Sequence, residues 1–232
     1  MKKLGLIGGT GPESTLVYYR EINRRLDELT EQKCMPEIVI ESGDFRKAWR
    51  YVEKHENDLL GTYLADKARL LADAGAEIIA LTSVTMHSVY DDVCVKTHLP
   101  LVNMPKAVAK KAVEQGYKKV GLLGTLYTME QNYMMNDLRN ESVEVYVPDE
   151  DDRKLVAKRI LEELEVGVVR DSTRKEFQDI IRKVQSEHGI EAVVLGCTEI
   201  PLLLNQDNCP LPCLDCMDIH INELIRQAYE CS

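Results

Sequence analysis

The chain has 232 residues, of which 44% are hydrophobic, and carries a formal net charge of −10 at pH 7. Such an acidic surface repels nucleic acids and anionic membranes, no apolar run is long enough to span a bilayer, and the lysine-led N-terminus lacks the pattern of a signal peptide. We therefore expect a cytoplasmic protein without nucleic-acid or membrane partners, whose seven cysteines are reduced thiols.

Short runs of apolar and β-branched residues predict eight buried strands: Leu4–Ile7, Ile38–Ile40, Ile78–Leu81, Leu101–Val102, Val120–Leu123, Val143–Val147, Ala192–Leu195 and Leu211–Leu214. Patterns between them predict helices at Thr15–Leu29, Asp58–Ala74, Lys106–Glu114, Met129–Arg139, Asp152–Glu165, Ser172–Glu187 and Asn222–Tyr229. The acidic run Asp149–Asp152 is predicted to be a solvated loop. Strands that alternate with helices of this length indicate an α/β fold with mostly parallel sheets, in which ligands bind beyond the carboxyl ends of the strands.

Two segments, Gly75–Thr85 and Gly189–Glu199, are near-copies in which a glycine and a glutamate lead into an apolar run. Ser83 of the first and Cys197 of the second lie 114 residues apart, the same separation as between the two glutamates. Further blocks recur in the same order at offsets of 115 and 112 residues: Lys3–Thr10 with Lys119–Thr125, and Leu99–Met104 with Leu211–Cys216. A repeat of half the chain predicts two similar lobes, residues 1–103 with 217–232 and residues 104–216. Ser83 and Cys197 are then expected at equivalent strand ends that face one cleft.

The first predicted strand runs into a glycine-rich turn, Gly8–Thr15, that opens a helix. Ser14 occupies the third glycine position of the dinucleotide-binding pattern and no Walker lysine follows, so a nucleotide site is disfavoured. Two interpretations stay open. The turn either packs helix against strand, or its backbone N–H groups at the helix start bind a carboxylate.

Three blocks of the sequence resemble the aspartate/glutamate racemase superfamily: Gly8–Thr15, Val84–His87 and, most specifically, Leu195–Ile200. The resemblance runs nearly end to end. It implies two pseudo-symmetric α/β lobes with the active site in the cleft between them, and a homodimer in many members. It also implies racemisation of a small amino acid with carboxylates, and it implies no pyridoxal phosphate or other cofactor. No metal site is expected, because the pair Cys213 and Cys216 has no second Cys-x-x-Cys partner.

By this resemblance the reaction uses two cysteines, one on each face of the substrate, and Cys197 matches the second of them. At the first position the chain has Ser83, and Val84 replaces the family's asparagine. A thiol titrates at about pH 8.5, whereas a serine hydroxyl needs a dedicated base. Relatives with threonine there are similar to glutamate racemases that prefer the L-enantiomer. Cys197 is therefore expected to be the main acid/base, with Ser83 or a water that it holds as proton relay, and glutamate or aspartate as substrate.

Further polar side chains follow the predicted strands and are candidate substrate ligands: Thr10, Arg46, Thr85, Thr125, Thr128 and Thr198. Each threonine is equally suited to a cap or turn, and Arg46 to a solvated position. Glu165 stands about where aspartate-specific relatives have a lysine. Two other functions stay open: a single-cysteine decarboxylase or isomerase of the same superfamily, and a pseudoenzyme that binds an amino acid without turnover.

Overall fold

Each half of the chain folds around its own parallel sheet in the computed structural model, which describes residues 1–229. The first unit comprises Met1–Asn103 together with the chain from His220 onward, and the second unit comprises Met104–Ile219. None of the helices within residues 1–229 is both long and apolar enough to span a bilayer.

The sheet of the first unit consists of β1 (Leu4–Gly8), β2 (Ile38–Ser42), β3 (Ile78–Leu81) and β4 (Leu101–Val102), in the order β2-β1-β3-β4. The sheet of the second unit consists of β5 (Lys119–Gly124), β6 (Glu144–Tyr146), β7 (Ala192–Gly196) and β8 (Cys213–Asp215), in the order β6-β5-β7-β8. All strand pairs are parallel. The two sheets therefore share one topology, and in each the first and third strands lie side by side.

The α-helices are α1 (Pro12–Leu29), α2 (Phe45–Glu53), α3 (Asn57–Asp73), α4 (Tyr90–Thr97), α5 (Met104–Glu114), α6 (Leu126–Glu130), α7 (Tyr133–Asn140), α8 (Glu150–Glu162), α9 (Asp171–His188) and α10 (Cys216–Tyr229). Helix α1 buries Tyr18, Ile22 and Leu26, which are spaced four residues apart and so share one face. In the second unit, α9 buries Phe177 and Ile181 in a cluster with β5 and β7. Full burial of each such side chain contributes about 1.5–3 kcal/mol.

The structure confirms the positions of the eight predicted strands and moves the last of them, but the predicted burial was wrong for β2 and β6, which lie at sheet edges and are partly exposed. The predicted strand Leu211–Leu214 is instead β8, which begins at Cys213, because Pro212 has no N–H to donate to a neighbouring strand. The sequence prediction omits α2 and α4. Helix α2 begins after Asp44, whose carboxylate accepts a hydrogen bond from the Lys47 backbone N–H at 3.1 Å, as an N-cap does.

Two local predictions were wrong. The single helix Met129–Arg139 is interrupted, because Gln131 has an extended backbone with φ −97° and ψ 155°, which separates α6 from α7. The solvated loop Asp149–Asp152 is instead the start of α8. Asp149 caps this helix by accepting a hydrogen bond from the Asp152 N–H at 3.0 Å, and the acidic residues that follow favour the positive end of the helix dipole.

Candidate active site

In the first unit, the chain leaves β3 through Thr82 and Ser83. Thr82 is fully buried, and its hydroxyl donates a hydrogen bond to the Ile7 carbonyl of β1 at 3.1 Å. This bond fixes the strand end, so that Ser83 follows at a half-buried position. A short 3-10 helix, Thr85–Val89, begins two residues later, and Thr85 is buried at its start.

The glycine-rich turn after β1 packs closely against helix α1. The Thr15 hydroxyl accepts a hydrogen bond from the Gly9 N–H at 3.0 Å. A Cβ atom at Gly8 would lie 2.5 Å from the Thr15 methyl carbon, and one at Gly9, whose φ is +76°, would lie 2.4 Å from the Gly43 carbonyl oxygen. Glycine is therefore required at both positions by close approach. The structure thus supports the first of the two interpretations left open by the sequence, in which the turn packs helix α1 against strand β1.

Thr10 and Arg46 are the predicted ligands nearest this turn. Thr10 is 3% exposed, and its buried hydroxyl oxygen has no hydrogen-bond partner among the described residues. Buried hydroxyls are nearly always paired in folded proteins, so this one is available to a ligand. Arg46 is exposed in the first turn of α2, three residues after Gly43, whose N–H bonds to the Gly8 carbonyl at 2.8 Å.

Two buried histidines lie behind Ser83. His87 donates from Nδ1 to the Ser83 carbonyl at 2.9 Å, not to the Ser83 hydroxyl. His220 donates from Nε2 to the Val102 carbonyl at 3.1 Å and accepts at Nδ1 from the Tyr18 hydroxyl at 2.7 Å. Burial lowers the pKa of His87 to about 4, and burial together with the nearby His87 lowers that of His220 to about 3. Both rings are therefore neutral at pH 7, and each stabilises the local backbone through its hydrogen bond to a carbonyl group.

In the second unit, Cys197 directly follows β7 and is 6% exposed. Its thiol donates a hydrogen bond to the Glu199 carboxylate at 2.9 Å, and the Thr198 hydroxyl donates to the same oxygen at 2.8 Å. Burial, and next the negative charge of Glu199, raise the pKa of the Cys197 thiol well above its usual range. The thiol is therefore protonated at neutral pH, and its proton lies in the hydrogen bond to the Glu199 carboxylate.

A second carboxylate adds to the negative charge that acts on this thiol. Glu165 lies in the 3-10 turn Leu164–Val166 that follows α8 and is exposed. Partial burial of its carboxyl, and then the charge of Glu199, raise the pKa of Glu165, and the charge of Glu165 in turn makes a small contribution to the raised pKa of Cys197. Neither glutamate forms an ion pair with any residue of the described range 1–229. The thiol therefore lies in a locally negative environment.

The remaining predicted ligands lie after β5. Thr125 caps α6, its hydroxyl oxygen accepting a hydrogen bond from the Thr128 N–H at 3.2 Å. The Thr128 hydroxyl is fully buried, 3.0 Å from that of Thr125 and 2.7 Å from that of Tyr133. This chain of three hydroxyls sits beside Gly124, where a Cβ atom would lie 3.0 Å from the Thr128 methyl carbon. The two threonines have a clear structural role at this strand end.

The structure thus brings the predicted residues together in two groups, one in each unit. Thr10, Ser83 and Thr85 follow β1 and β3, with Arg46 beyond the neighbouring β2. Thr125, Thr128, Cys197 and Thr198 follow β5 and β7.

Sequence reasoning missed the roles of Glu199 and Glu165 at the thiol. Glu199 is signalled by its place two residues after the cysteine, whereas Glu165, which stands about where aspartate-specific relatives have a lysine, is too distant in sequence for its link to the thiol to be predicted. Within residues 1–229, no three metal-ligating side chains converge.

Comparisons with known proteins agree with this architecture. The sequence profile of the family described as Asp/Glu/Hydantoin racemase matches residues 7–224. A candidate Asp/Glu racemase of known structure from Yersinia pestis is 36% identical, with a TM-score of 0.92 over 98% of this chain and 99% of its own. An aspartate racemase homologue from Pyrococcus horikoshii OT3 is also 36% identical, with a TM-score of 0.85 over the same shares, 98% and 99%.

A curated relative, described as an uncharacterized protein in the pnlA 3′ region of Pectobacterium carotovorum, is 31% identical over 92 residues. That match covers 38% of this chain and 57% of the relative, so the chain spans little more than half the length of this curated protein. The family match and the two structural likenesses confirm both the predicted two-sheet α/β fold and the resemblance that the three sequence blocks indicated.

Proposed function

Because the chain belongs to the Asp/Glu/Hydantoin racemase family, we propose that it racemises a free amino acid without a cofactor, with Cys197 as the main acid/base. The observation that carries this proposal is the buried thiol at the end of β7, whose proton lies against the Glu199 carboxylate at 2.9 Å. A buried thiol paired with a proton acceptor is the arrangement that a cysteine base requires.

The reaction divides into two proton transfers. Glu199 accepts the thiol proton, and the Cys197 thiolate then removes the α-proton of the substrate, leaving a carbanion stabilised by the adjacent carboxylate group. A proton returns to the opposite face from Ser83 or from a water that it holds. Thr10, whose buried hydroxyl has no partner among the described residues, is a suitable donor to a substrate carboxylate, and Thr85 and Thr198 are further candidates.

The substrate and its stereochemistry follow from the family resemblance. Glutamate and aspartate are the first substrates to assay, with the L-enantiomer preferred, because relatives with threonine at the first cysteine position are similar to glutamate racemases with that preference. Arg46 is proposed to bind a substrate carboxylate through its guanidinium fork. Thr125 and Thr128, whose hydroxyls hydrogen-bond to each other at the end of β5, are proposed as further substrate ligands.

The test is exchange of the α-proton for deuterium in heavy water, followed by NMR, with chiral analysis of the product. Exchange with inversion is expected for at least one amino acid. Cys197→Ser should lower the rate by about 10²- to 10⁴-fold, the usual contribution of a general acid or base. Cys209→Ser, which alters a partly buried cysteine of the same unit, is the matched control and should retain full activity.

Each other result distinguishes an alternative. Exchange without inversion indicates protonation from one face only, as in a single-cysteine decarboxylase or isomerase, which the hydroxyl at Ser83 would suit. Binding of amino acids without any exchange, detected as a raised melting temperature, indicates a pseudoenzyme. Full activity of Cys197→Ser would overturn the assignment of the main acid/base.

A homodimer and a cytoplasmic location complete the proposal. The homodimer rests on the family resemblance, and the location on the acidic composition of the sequence. Sedimentation equilibrium should give twice the 26.4 kDa chain mass, and a single-chain mass at micromolar concentration would contradict the dimer. Fractionation of cells that express the protein tests its location.

A further inference from the structure

Helix α8 carries a positive charge on the side that faces the core. Val156 and Ile160, which lie four residues apart on this helix, are buried in the hydrophobic cluster of the second unit. Arg153 lies three residues before Val156, so it belongs to the same face of the helix, and its side chain is half-buried. An arginine in this position loses part of its hydration and therefore requires hydrogen-bond or ion-pair partners.

The Arg153 guanidinium has fewer partners than this position requires. Its Nη1 donates a hydrogen bond to the Pro148 carbonyl at 3.1 Å. Its Nε–H is buried and has no hydrogen-bond partner within residues 1–229, and no carboxylate of that range forms an ion pair with Arg153. Buried charged groups are seldom left without partners. The Nε and Nη2 atoms form one edge of the guanidinium, which matches the two oxygens of a carboxylate. This edge is open to a ligand.

The lysines nearest to Arg153 are paired with acidic residues. Lys183 donates hydrogen bonds to Asp149 and to Asp152, the latter at 2.7 Å. Lys154 donates to the carboxylate four residues before it. Both lysines are exposed, and ion pairs at exposed positions contribute little to stability. The fold thus pairs the exposed lysines and leaves the half-buried guanidinium without a counterion, which stability alone would not favour.

Arg153 lies at the edge of the second sheet where the candidate ligands follow β5. Pro148, whose carbonyl accepts the Nη1 hydrogen bond, comes two residues after β6, and β6 pairs with β5. Helix α8 also packs against α6, since Val156 and Met129 belong to one buried cluster. Met129 directly follows Thr128. The unpaired cation and the threonine hydroxyls are therefore on neighbouring elements at the carboxyl ends of the strands.

Resting on the proposed racemase function, we infer that Arg153 binds the side-chain carboxylate of the substrate and thereby selects an acidic amino acid. The two carboxylate oxygens supply the acceptors that Nε and Nη2 lack, and their charge compensates the guanidinium. An amide side chain of the same size offers one acceptor and no charge, so it leaves the cation uncompensated. Arg153 determines specificity and takes no part in proton transfer, which the proposed function assigns to Cys197 and Ser83.

The experiment compares each acidic amino acid with its uncharged amide. The kcat and KM for α-proton exchange in heavy water are measured for L-glutamate with L-glutamine and for L-aspartate with L-asparagine. We expect the wild-type protein to prefer the acid of at least one pair. Arg153→Gln should raise the KM for that acid about ten- to a hundredfold, the effect of losing hydrogen bonds between charged groups, while kcat and the kinetics of the amide change little. Arg153→Lys keeps the charge without the fork and should restore part of the lost affinity.

The matched control is Lys154→Gln, which removes the same charge from the neighbouring exposed position. It should leave both KM values unchanged. Melting temperatures with and without L-glutamate or L-aspartate report binding independently of turnover. The acid should raise the melting temperature of the wild-type protein and of Lys154→Gln, but not that of Arg153→Gln. A purely structural role of Arg153 would instead lower the melting temperature and affect acid and amide alike.

The outcomes distinguish failure of this inference from failure of the proposed function. If Cys197→Ser abolishes exchange but Arg153→Gln affects acid and amide equally, or neither, the role of Arg153 is wrong while the racemase function stands. A wild-type preference for the amides would overturn the acidic substrate class. If no amino acid exchanges its α-proton, the racemase function fails, and the melting shifts decide the rest. An acid-induced shift that Arg153→Gln removes would support acid binding at Arg153, and its absence would overturn it.

Discussion

The ends of β3 and β7 occupy equivalent places in two sheets of the same topology, yet they carry different chemistry. After β3, Thr82 ties the chain to β1, Ser83 presents a half-buried hydroxyl and Val84 adds an apolar side chain. After β7, Cys197 presents a buried thiol with a carboxylate two residues later that accepts its proton. The repeated halves thus place a hydroxyl and a thiol at equivalent strand ends, and the thiol is the one that hydrogen-bonds to a carboxylate.

This asymmetry has a physical basis. A serine hydroxyl is a far weaker acid than a thiol, and the neighbouring His87 hydrogen-bonds to the Ser83 carbonyl rather than to the hydroxyl. The hydrogen bond from the Cys197 thiol to a carboxylate has no counterpart at the Ser83 hydroxyl among the described residues. We therefore expect the two ends to contribute unequally to proton transfer, and the predictions below test that difference.

The largest effect is expected from truncating the two reactive groups separately. Cys197→Ala should lower α-proton exchange by about 10²- to 10⁴-fold, whereas Ser83→Ala should lower it only about tenfold, because water can replace a hydroxyl that relays a proton. Deuterium exchange and inversion are measured together for each variant. Equal losses in the two variants would show that both ends act as full acid/base groups.

Removing the carboxylate beside the thiol should change the dependence on pH. Because the pKa of Cys197 is raised, thiolate is scarce near neutrality, and kcat/KM should rise about tenfold per pH unit between about pH 7 and 9. Glu199→Gln removes both a negative neighbour and the proposed proton acceptor, so the pKa of the Cys197 thiol should fall while kcat/KM falls as well. Thiolate absorbance near 240 nm, taken as the difference from Cys197→Ser, reports the pKa independently of activity. An unchanged or higher pKa would contradict the assigned cause.

The first unit should be the more sensitive to acid. His87 and His220 are neutral in the folded state with pKa values of about 4 and about 3, whereas an unfolded histidine titrates at about 6.5. Below pH 6.5 the unfolded chain binds more protons, so each histidine should lower the free energy of unfolding by about 1.4 kcal/mol per pH unit until its folded pKa is reached. Denaturant unfolding at pH 7 and pH 5 measures this, with His220→Gln expected to show a shallower dependence.

The smallest effects concern the buried threonines that pack against the glycines at the ends of β1 and β5. Thr15→Val and Thr128→Val remove hydroxyls that hydrogen-bond at Gly9 and at Tyr133, respectively. Each should cost about 1–3 kcal/mol of unfolding free energy, since a buried partner is left unsatisfied. The unfolding free energy of each variant is measured by urea denaturation. Similar losses would show that the two equivalent positions contribute equally to stability. A loss in only one variant would show that the two halves have diverged at this position.

Much of the fold was predictable because it follows from short-range patterns. The strands of both sheets are short, mostly apolar runs, and all eight were recognisable. Helix α2 is strongly amphipathic, with Ala48 and Val52 buried four residues apart, and was missed because it is only nine residues long. The interruption after Glu130 was missed because the extended backbone of Gln131 leaves no mark in residue type.

Sequence by itself determined the family, the repeated order of strands, and the positions of Ser83 and Cys197 at strand ends, since these depend on local patterns and motif spacing. Only the tertiary structure decided which groups surround the thiol. Glu165 reaches the charge environment of Cys197 from a turn after α8, more than thirty residues upstream, and leaves it negative. Electrostatic interactions act through space, so the proton affinity of a side chain depends on neighbours that sequence proximity does not identify.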